Sequence, residues 1–263
     1  MNIRNIAVLL CLVITLIFAA NDADANDDSH KDKEGVNTLL VHFEPNQMLQ
    51  LIAPLTDISK NNEEGVKLRN QYYQTAIPLA QQYGFKNLGQ LIVTETIVGD
   101  FRPGAYVIGS WPSLKTFDEF ANLPEWATLK ALRVEAWDEL KLFNAEIKAP
   151  LSLSFREDKF YTVVFAWNNP QHPNNYSAYL EGIEPALNRV GGRFMLKIKQ
   201  PTMESHGSNA VPPNQITFVE WNTKNGFATL QQQEDYKRFI ALRDSGLQKI
   251  EFHRLVPRIS EGS

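Results

Sequence analysis

Apolar runs and amphipathic stretches follow one another along this chain in an order that occurs twice. Nearly continuous apolar runs at 39–43 and 161–167 predict strands that are covered on both faces. After each run, apolar positions at helical spacing predict a helix, which is followed by two strand-like segments, a second helix and a last strand. The order β-α-β-β-α-β, present twice, is that of the split β-α-β unit and predicts an α+β fold.

Side-chain identities repeat along with the pattern. Six aromatic, aliphatic or basic residues of the first copy have a similar residue 110 positions later (221 − 111). A constant offset over so many matches indicates an internal repeat, and therefore two copies of one structural unit. The matched pairs are Trp111 and Trp221, Phe117 and Phe227, Trp126 and Tyr236, Leu129 and Phe239, Leu132 and Leu242, and Arg133 and Arg243.

A change of offset between the copies predicts an insertion. Tyr72 and Tyr179 differ by 107, whereas the first predicted strands, at 38–43 and 162–167, differ by 124. The difference (124 − 107) places 17 additional residues at 45–61. This segment carries an apolar stripe from Met48 to Ile58. We expect it to form either a lid over a site or a helix that covers a sheet edge.

The repeat predicts how the chain is divided. We expect a first domain over 37–149, a linker over 150–158 and a second domain over 159–259. The helices of a split β-α-β unit cover only one face of its sheet, so the other face needs a partner. The second copy can supply that partner within the same chain. We therefore predict two tandem ferredoxin-like domains packed sheet to sheet, as an intramolecular pseudo-dimeric α/β barrel that can associate further into homo-oligomers.

The second copy also resembles a known family. It is similar to a family of small dimeric α/β-barrel domains of unknown function, related in fold to antibiotic-biosynthesis monooxygenases, EthD-like domains and stress-responsive barrels. The resemblance covers residues 160–256 and implies the fold and a pocket, without a particular reaction. The first copy departs from the pattern, because Gly84-Phe85-Lys86 replaces Gly-Gly-Arg. The matching residues are Tyr179, Pro185, Gly191-Gly192-Arg193-Phe194, Phe218-Val219-Glu220-Trp221, Phe227, Tyr236 and Arg243.

The first residues have the pattern of an export signal. A basic residue at Arg4, an apolar run that ends at Ala20 and an A-x-A site at 23–25 predict a signal peptide over 1–25. The charged, polar segment 26–36 predicts a disordered leader. We therefore expect a periplasmic or secreted protein that is not attached to the membrane after cleavage.

Composition argues against several classes of function. The 26 basic and 30 acidic residues nearly balance and form no basic block, so nucleic acid is not expected as a partner. The single cysteine, Cys11, lies in the predicted signal peptide, so the exported chain would contain no disulfide or thiolate nucleophile. The histidine spacings match no metal-binding motif, and no cofactor motif is present. We predict neither a metal nor a cofactor.

Two histidines are candidates for acid/base catalysis. His42 and His253 lie in predicted strands, and their counterparts in the other copy are the apolar residues Ala166 and Phe143. Packing alone would preserve similar residues in both copies, so a histidine that is present in only one copy is a candidate for a functional role. Each histidine is either half-buried with one hydrogen bond or an acid/base group in the cavity between the sheets.

A carboxylate and several aromatic residues complete the candidate site. Glu220 stands next to an indole, where it is either a base with a raised pKa or the partner of an ion pair with Arg193 or Arg243. Tryptophan and tyrosine combine apolar area with a polar group, as ligand pockets require. The candidate ligand-binding residues are Trp111, Tyr161, Trp167, Trp221 and Arg243.

Three functions remain open at this point. The first is an exported protein that binds a small apolar or aromatic molecule without chemistry. The second is a cofactor-independent oxygenase or isomerase that uses a histidine as its base. The third is an interaction module whose exposed insertion recognises another protein.

Overall fold

The computed structural model describes residues 29–31, 35–56 and 59–259, so the expected signal peptide lies outside the described residues. The helices are α1 Glu63–Gln82, α2 Leu114–Ala121, α3 Pro124–Ala131, α4 Arg133–Ala136, α5 Asn175–Arg189, α6 Gly226–Gln231 and α7 Glu234–Gly246. The strands are β1 Ser29–Lys31, β2 Asn37–Phe43, β3 Met48–Leu55, β4 Lys86–Val98, β5 Ala105–Trp111, β6 Glu139–Glu146, β7 Leu151–Arg156, β8 Phe160–Asn168, β9 Gly192–Lys199, β10 Thr202–His206, β11 Gln215–Trp221 and β12 Leu247–Arg258.

Nine of these strands form one antiparallel sheet whose two edge strands are joined by a two-residue connection. Their order is β10-β6-β3-β5-β4-β12-β8-β11-β9. The two ends of this order, β9 and β10, are separated in the chain by only Gln200 and Pro201, so both ends of the sheet meet. The first repeat, as the term is used below, comprises β3 to β6 with α1 to α4. The second repeat comprises β8 to β12 with α5 to α7. The predicted pseudo-dimeric α/β barrel is confirmed.

The inward face of the barrel is filled with apolar side chains. Alternate residues of each strand point inward, as the pleat requires, and residues of both repeats form a single core. Because this core needs inward-facing positions from two copies of the sheet, neither copy could bury it alone. Its members include Leu51, Ile108, Phe143, Val163, Phe165, Phe218 and Leu255.

The first strand of the first repeat is not the one that the sequence predicted. The register pairs Met48 with Trp111 in β3 and β5, and Phe160 with Trp221 in β8 and β11. The equivalent strands are therefore β3 and β8, at an offset of 112 (160 − 48). The match between 38–43 and 162–167 was wrong, because two neighbouring apolar runs satisfied the same pattern and only pairing distinguishes them.

The predicted insertion at 45–61 is consequently wrong as well. The segment contains β3, which pairs with both β5 and β6 in the barrel wall. Met48, Leu49 and Leu51 are at most 3% exposed, so this part of the apolar stripe is core. The described residues of the segment, 45–56 and 59–61, form neither a lid, an edge-covering helix nor an exposed apolar surface.

A second, three-stranded sheet covers part of the barrel. It consists of β1, β2 and β7. The segment predicted as a linker, 150–158, contains β7, and residues 29–31 of the predicted disordered leader form β1. Leu39, Phe43 and Phe155 point from this ribbon into the barrel core, which explains why β2 is as apolar as a barrel strand.

The helices pack on the outer face of the barrel and form two further cores. Asn62 caps α1 by accepting a hydrogen bond from the Gly65 amide, and Ser113 caps α2 by accepting one from the Thr116 amide. Asn225 is the N-cap residue of α6 and makes no side-chain cap hydrogen bond. No helix of the described residues is long and apolar enough to cross a membrane.

Candidate ligand-binding site

A small cavity lies between the helices and the sheet of the second repeat. It has a volume of about 50 Å³, and its walls are mostly apolar. A few polar groups, from two threonines, two tyrosines and one arginine, reach into it, and this combination is typical of small-molecule sites. The lining residues include Thr162, Tyr176, Tyr179, Ile183, Leu187, Thr217, Trp221, Leu230, Arg243 and Phe252.

Trp221 forms one wall of the cavity and is held in place on two sides. Its indole Nε1 donates a hydrogen bond to Thr162 Oγ1 over 2.9 Å. The ring lies against Gly192 and Gly226, where an added Cβ would come within 2.9 and 2.6 Å of it. These glycines are therefore required by the close approach of the ring. Trp111, its counterpart, bonds Gln50 Oε1 in the first repeat.

Arg243, near the end of α7, supplies the only cationic group in the wall of the cavity. Its Nη1 donates to Tyr236 Oη over 3.0 Å, and its Nε and Nη2 donate to Asp244 Oδ1 over 2.9 and 2.7 Å. Asp244 is an exposed side chain, 59% accessible, on the same helix. Burial raises the pKa of Tyr176 and of Tyr179, so both phenols remain protonated donors at neutral pH.

A separate polar cluster lies inside the barrel. His253 of β12 meets Tyr106 of β5 and Phe165 of β8, with ring centroids 5.8 and 6.3 Å apart. Both His253 and Tyr106 are fully buried, and neither His253 Nε2 nor Tyr106 Oη has a hydrogen-bond partner within the described part of the chain. Buried polar atoms are normally paired, so these two atoms need an explanation.

Two buried charges stand near His253. Lys141 and Glu251 occupy equivalent positions of the two repeats (251 − 141 = 110) and are at most 5% exposed. Burial, with a smaller contribution from Lys141, lowers the pKa of His253 to about 4. The imidazole is therefore neutral at pH 7. The Phe101 ring covers this cluster, since its amide donates to Glu251 and Lys141 Nζ lies 3.7 Å from its centroid.

The two histidines predicted as catalytic residues lie in different parts of the molecule. His253 lies inside the barrel, but His42 does not. The His42 side chain is 55% exposed on β2 and bonds Ser152 and Glu44, so, of its two predicted roles, that of an acid/base group in the inter-sheet cavity was wrong. Inward and outward positions alternate along a strand, and the mistaken register of the first copy hid this.

Glu220 forms the ion pair that the sequence offered as its alternative role. Both carboxylate oxygens accept from Arg193, over 2.7 and 3.1 Å, and Tyr161 Oη donates to one of them. Tyr161 and Trp167 point into the barrel core, where Trp167 Nε1 donates to the Val211 carbonyl. The predicted ligand-binding residues are thus divided among different places, and only Trp221 and Arg243 line the cavity.

Sequence reasoning missed Tyr106, Lys141 and Glu251. Their signal is weak but present: on β12, Glu251 and His253 alternate with outward residues and so share the inward face with Leu255. Two ionisable residues in succession on the buried face of a strand are unusual. Within the described ranges, no three or more His, Cys, Asp or Glu side chains gather where they could hold a metal ion.

Comparison with solved structures identifies the class of fold. An anthrone oxidase-like protein superposes with a TM-score of 0.50 at 16% identity, over 85% of this chain and 97% of that chain. A mutant chlorite dismutase from Candidatus Nitrospira defluvii gives 0.42 at 9% identity, over 82% and 93%. A monooxygenase-like protein from Lactobacillus acidophilus gives 0.38 at 12%, over 81% and 94%. No family model matches the sequence, and no curated protein matches it.

The first of these likenesses, together with the closed strand order, shows that the chain has the dimeric α/β-barrel fold, with both halves in one polypeptide. Identities this low show the fold alone. One fold supports many chemistries, so function has to be argued from the sites.

Proposed function

We propose that this protein binds a small, largely apolar molecule in the cavity of the second repeat. The observation that carries the proposal is the cavity itself, an apolar space of about 50 Å³ into which Trp221 and Arg243 both project. Apolar space inside a protein is unfavourable, because the lining atoms lose packing contacts. A ligand that restores those contacts would be stabilised by them.

The difference between the repeats supports this proposal and provides its test. Leu230, in the cavity wall, corresponds to Phe120 of the first repeat (230 − 120 = 110), whose ring packs 4.8 Å from the Trp111 ring. Leu230→Phe should fill the cavity with the residue that the first repeat uses. The reverse change, Phe120→Leu, alters the first repeat only and is the matched control.

The measurement is native mass spectrometry of protein purified from its own host. We expect the wild type and Phe120→Leu to carry a small molecule in stoichiometric amount, and Leu230→Phe to lose it. Denaturation then releases the molecule for identification. Equal retention by Leu230→Phe, with folding intact, would exclude the cavity as the binding site.

A second candidate function, oxygenation, rests on the cluster inside the barrel. A neutral His253 whose Nε2 has no hydrogen-bond partner among the described residues can accept a proton from an activated C–H or O–H group. With dioxygen as the oxidant, a CH₂ group would become a carbonyl and the second oxygen atom would leave as water. The similar solved structure is described as anthrone oxidase-like, so anthrone is the first substrate to test.

Access is the main requirement of this second function. Phe101 is 6% exposed and closes the cluster, so the segment at 99–104 would have to move before a substrate could enter. Oxygen consumption with anthrone, in wild type and His253→Gln, tests the idea. Consumption that is unchanged in the variant, or absent in both proteins, would rule it out.

We also propose that the chain is exported to the periplasm or secreted, on the evidence of the signal-like pattern at 1–25. Cell fractionation and N-terminal sequencing of the mature protein test this, with cleavage expected after Ala25. An intact N-terminus in the cytoplasmic fraction would contradict it.

A further inference from the structure

Arg133 and Arg243 are equivalent residues of the two repeats, but their burial and charge partners differ. Arg133 of the first repeat is 3% exposed, and its guanidinium lies 4.7 Å from the Trp126 ring centroid. Its Nε donates to Tyr72 Oη over 2.9 Å, and its Nη1 donates to Glu204 Oε2 over 3.1 Å. Glu204 belongs to β10, so a carboxylate of the second repeat neutralises the arginine of the first.

The register shows which residue stands in the place of Glu204 around Arg243. Glu204 pairs with Leu142 of β6, whose counterpart is Phe252 of β12 (252 − 142 = 110). Phe252 pairs with Val98 of β4. Because paired residues point to the same face of a sheet, Val98 faces the second repeat as Glu204 faces the first. Val98 carries no charge and is 44% exposed.

Arg243 therefore lacks the cross-repeat carboxylate. It also bonds a different tyrosine, Tyr236, which is the counterpart of Trp126, and the acidic group that it contacts is the exposed Asp244 of its own helix. In addition, Arg243 lines a cavity whose other walls are mostly apolar. An apolar space that ends at a cation matches a molecule with a short apolar tail and an anionic group.

We propose that the ligand of this cavity is a small carboxylate, whose anionic group binds Arg243 where the first repeat places Glu204 on Arg133. The inference rests on the function proposed above and specifies its ligand class. A cavity of about 50 Å³ accommodates a tail of about three or four non-hydrogen atoms, since one water-sized group needs about 10–15 Å³. Butyrate has this size, and butanamide is its uncharged analogue.

The indole N–H groups of Trp221 and Trp111 give separate NMR signals, so ligand binding can be followed in each repeat independently. Trp221 Nε1–H borders the cavity, and Trp111 Nε1–H holds the equivalent place in the first repeat. In an NMR titration with butyrate, we expect the Trp221 indole signal to shift saturably and the Trp111 signal to stay fixed. Butanamide should bind about tenfold or more weakly, because a hydrogen bond to a charged partner is lost.

Two pairs of variants test the role of the charge. Arg243→Met should weaken butyrate binding about tenfold or more and leave butanamide unchanged. Val98→Glu should supply the missing internal carboxylate and reduce butyrate binding similarly, while Val98→Gln, of nearly the same shape, should not. Val98 is half-exposed and lies at the end of β4, so its variants are expected to fold even if Arg243→Met does not.

The outcomes distinguish this inference from the function on which it rests. Equal shifts of Trp221 with butyrate and butanamide, insensitive to Val98→Glu, would overturn the carboxylate and leave the cavity as a site for neutral molecules. No shift of Trp221 with either probe, together with no retained molecule in native mass spectrometry, would overturn both.

Discussion

Each repeat has an outer core, which lies between its helices and the outer face of the sheet. The two outer cores contain corresponding residues but differ in packing and in charge pairing. Each has a tryptophan at the end of a strand, hydrogen-bonded to the neighbouring strand, and an arginine beside a tyrosine. In the first repeat, Phe120 and Gln50 fill the space around the indole, and Glu204 neutralises the arginine. In the second, Leu230 and Thr162 line a cavity, and the arginine forms its ion pair with Asp244, its exposed neighbour in the same helix.

Under the function proposed above, stability and binding are divided between the repeats. A filled core with a buried, neutralised cation stabilises the fold and offers neither space nor charge to a ligand. A cavity beside a partly exposed cation costs stability and offers contacts to another molecule. Duplicated units can diverge in this way because each of these cores is formed by residues of one repeat, unlike the core inside the barrel.

The largest expected contrast is between the two arginines. Arg133→Met removes a buried partner of Glu204 and should cost about 3 kcal/mol, because a largely buried carboxylate loses one of its cations. Arg243→Met, which breaks an exposed pair, should cost about 1 kcal/mol or less. Urea unfolding of both variants measures this. Equal losses would show that the two cores are energetically alike.

The next contrast concerns His253 and its apolar counterpart Phe143. The folded pKa of His253, about 4, is below its ordinary value of 6.5, so its contribution to stability is complete above pH 6.5 and is lost as the pH falls toward 4. The loss should reach about 3 kcal/mol over this range. His253→Phe should remove this dependence. An unchanged acid profile in the variant would refute the assignment.

The pKa of Glu204 is lower than that of His253, so the two groups affect the stability of the protein in different pH ranges. Burial raises the pKa of Glu204, but the hydrogen bond from His206 and the charges of Arg133 and Lys130 outweigh burial and hold the pKa at about 2. Its stabilising contribution is therefore complete above its ordinary value of 4.5 and is lost between there and about pH 2. In Glu204→Gln the loss of stability in this lower window should be absent.

A smaller effect is expected from exchanging the residues that fill the two outer cores. Phe120→Leu should cost about 1–2 kcal/mol, since it removes buried ring atoms next to Trp111. Leu230→Phe should change the free energy of unfolding by no more than about 1 kcal/mol, because the added atoms enter existing space. Thermal unfolding of the pair tests this; a large destabilisation by Leu230→Phe would mean that the cavity cannot accept a ring.

The smallest effect belongs to the exposed histidine. His42→Ala should change stability by no more than about 0.5 kcal/mol, because its two side-chain partners are on the surface. Urea unfolding, as for the two arginine variants, measures this effect. A loss comparable with that of a buried residue would place His42 in a role that its exposure does not suggest.

The sequence predicted the repeat, and with it the barrel, because residues such as Trp111 and Arg133 have a similar residue at one constant spacing. It failed at β2 and β3, since both are short apolar runs and either one satisfies the pattern of a buried strand. The choice between them depends on which run pairs with β5 and β6, and these pairings join residues far apart in the chain.

The candidate site was predicted in part. Trp221 and Arg243 were found, because large aromatic and basic residues are conspicuous in a sequence. The cavity that joins them was not, since it results from small differences of volume at Leu230 and Thr162, and volume is a property of packed side chains. Likewise, His253 was found without Tyr106, whose position beside it depends on the closure of the barrel.

The sequence by itself determined the number of units, their order of elements and the fact that each needs a partner for its open sheet face. Local spacing and the repeat carry that information. Only the tertiary structure decided which strand stands where, which arginine receives a carboxylate from the other repeat and where space is left. These depend on strand register and on volumes summed over residues that are distant in the chain, so no local pattern records them.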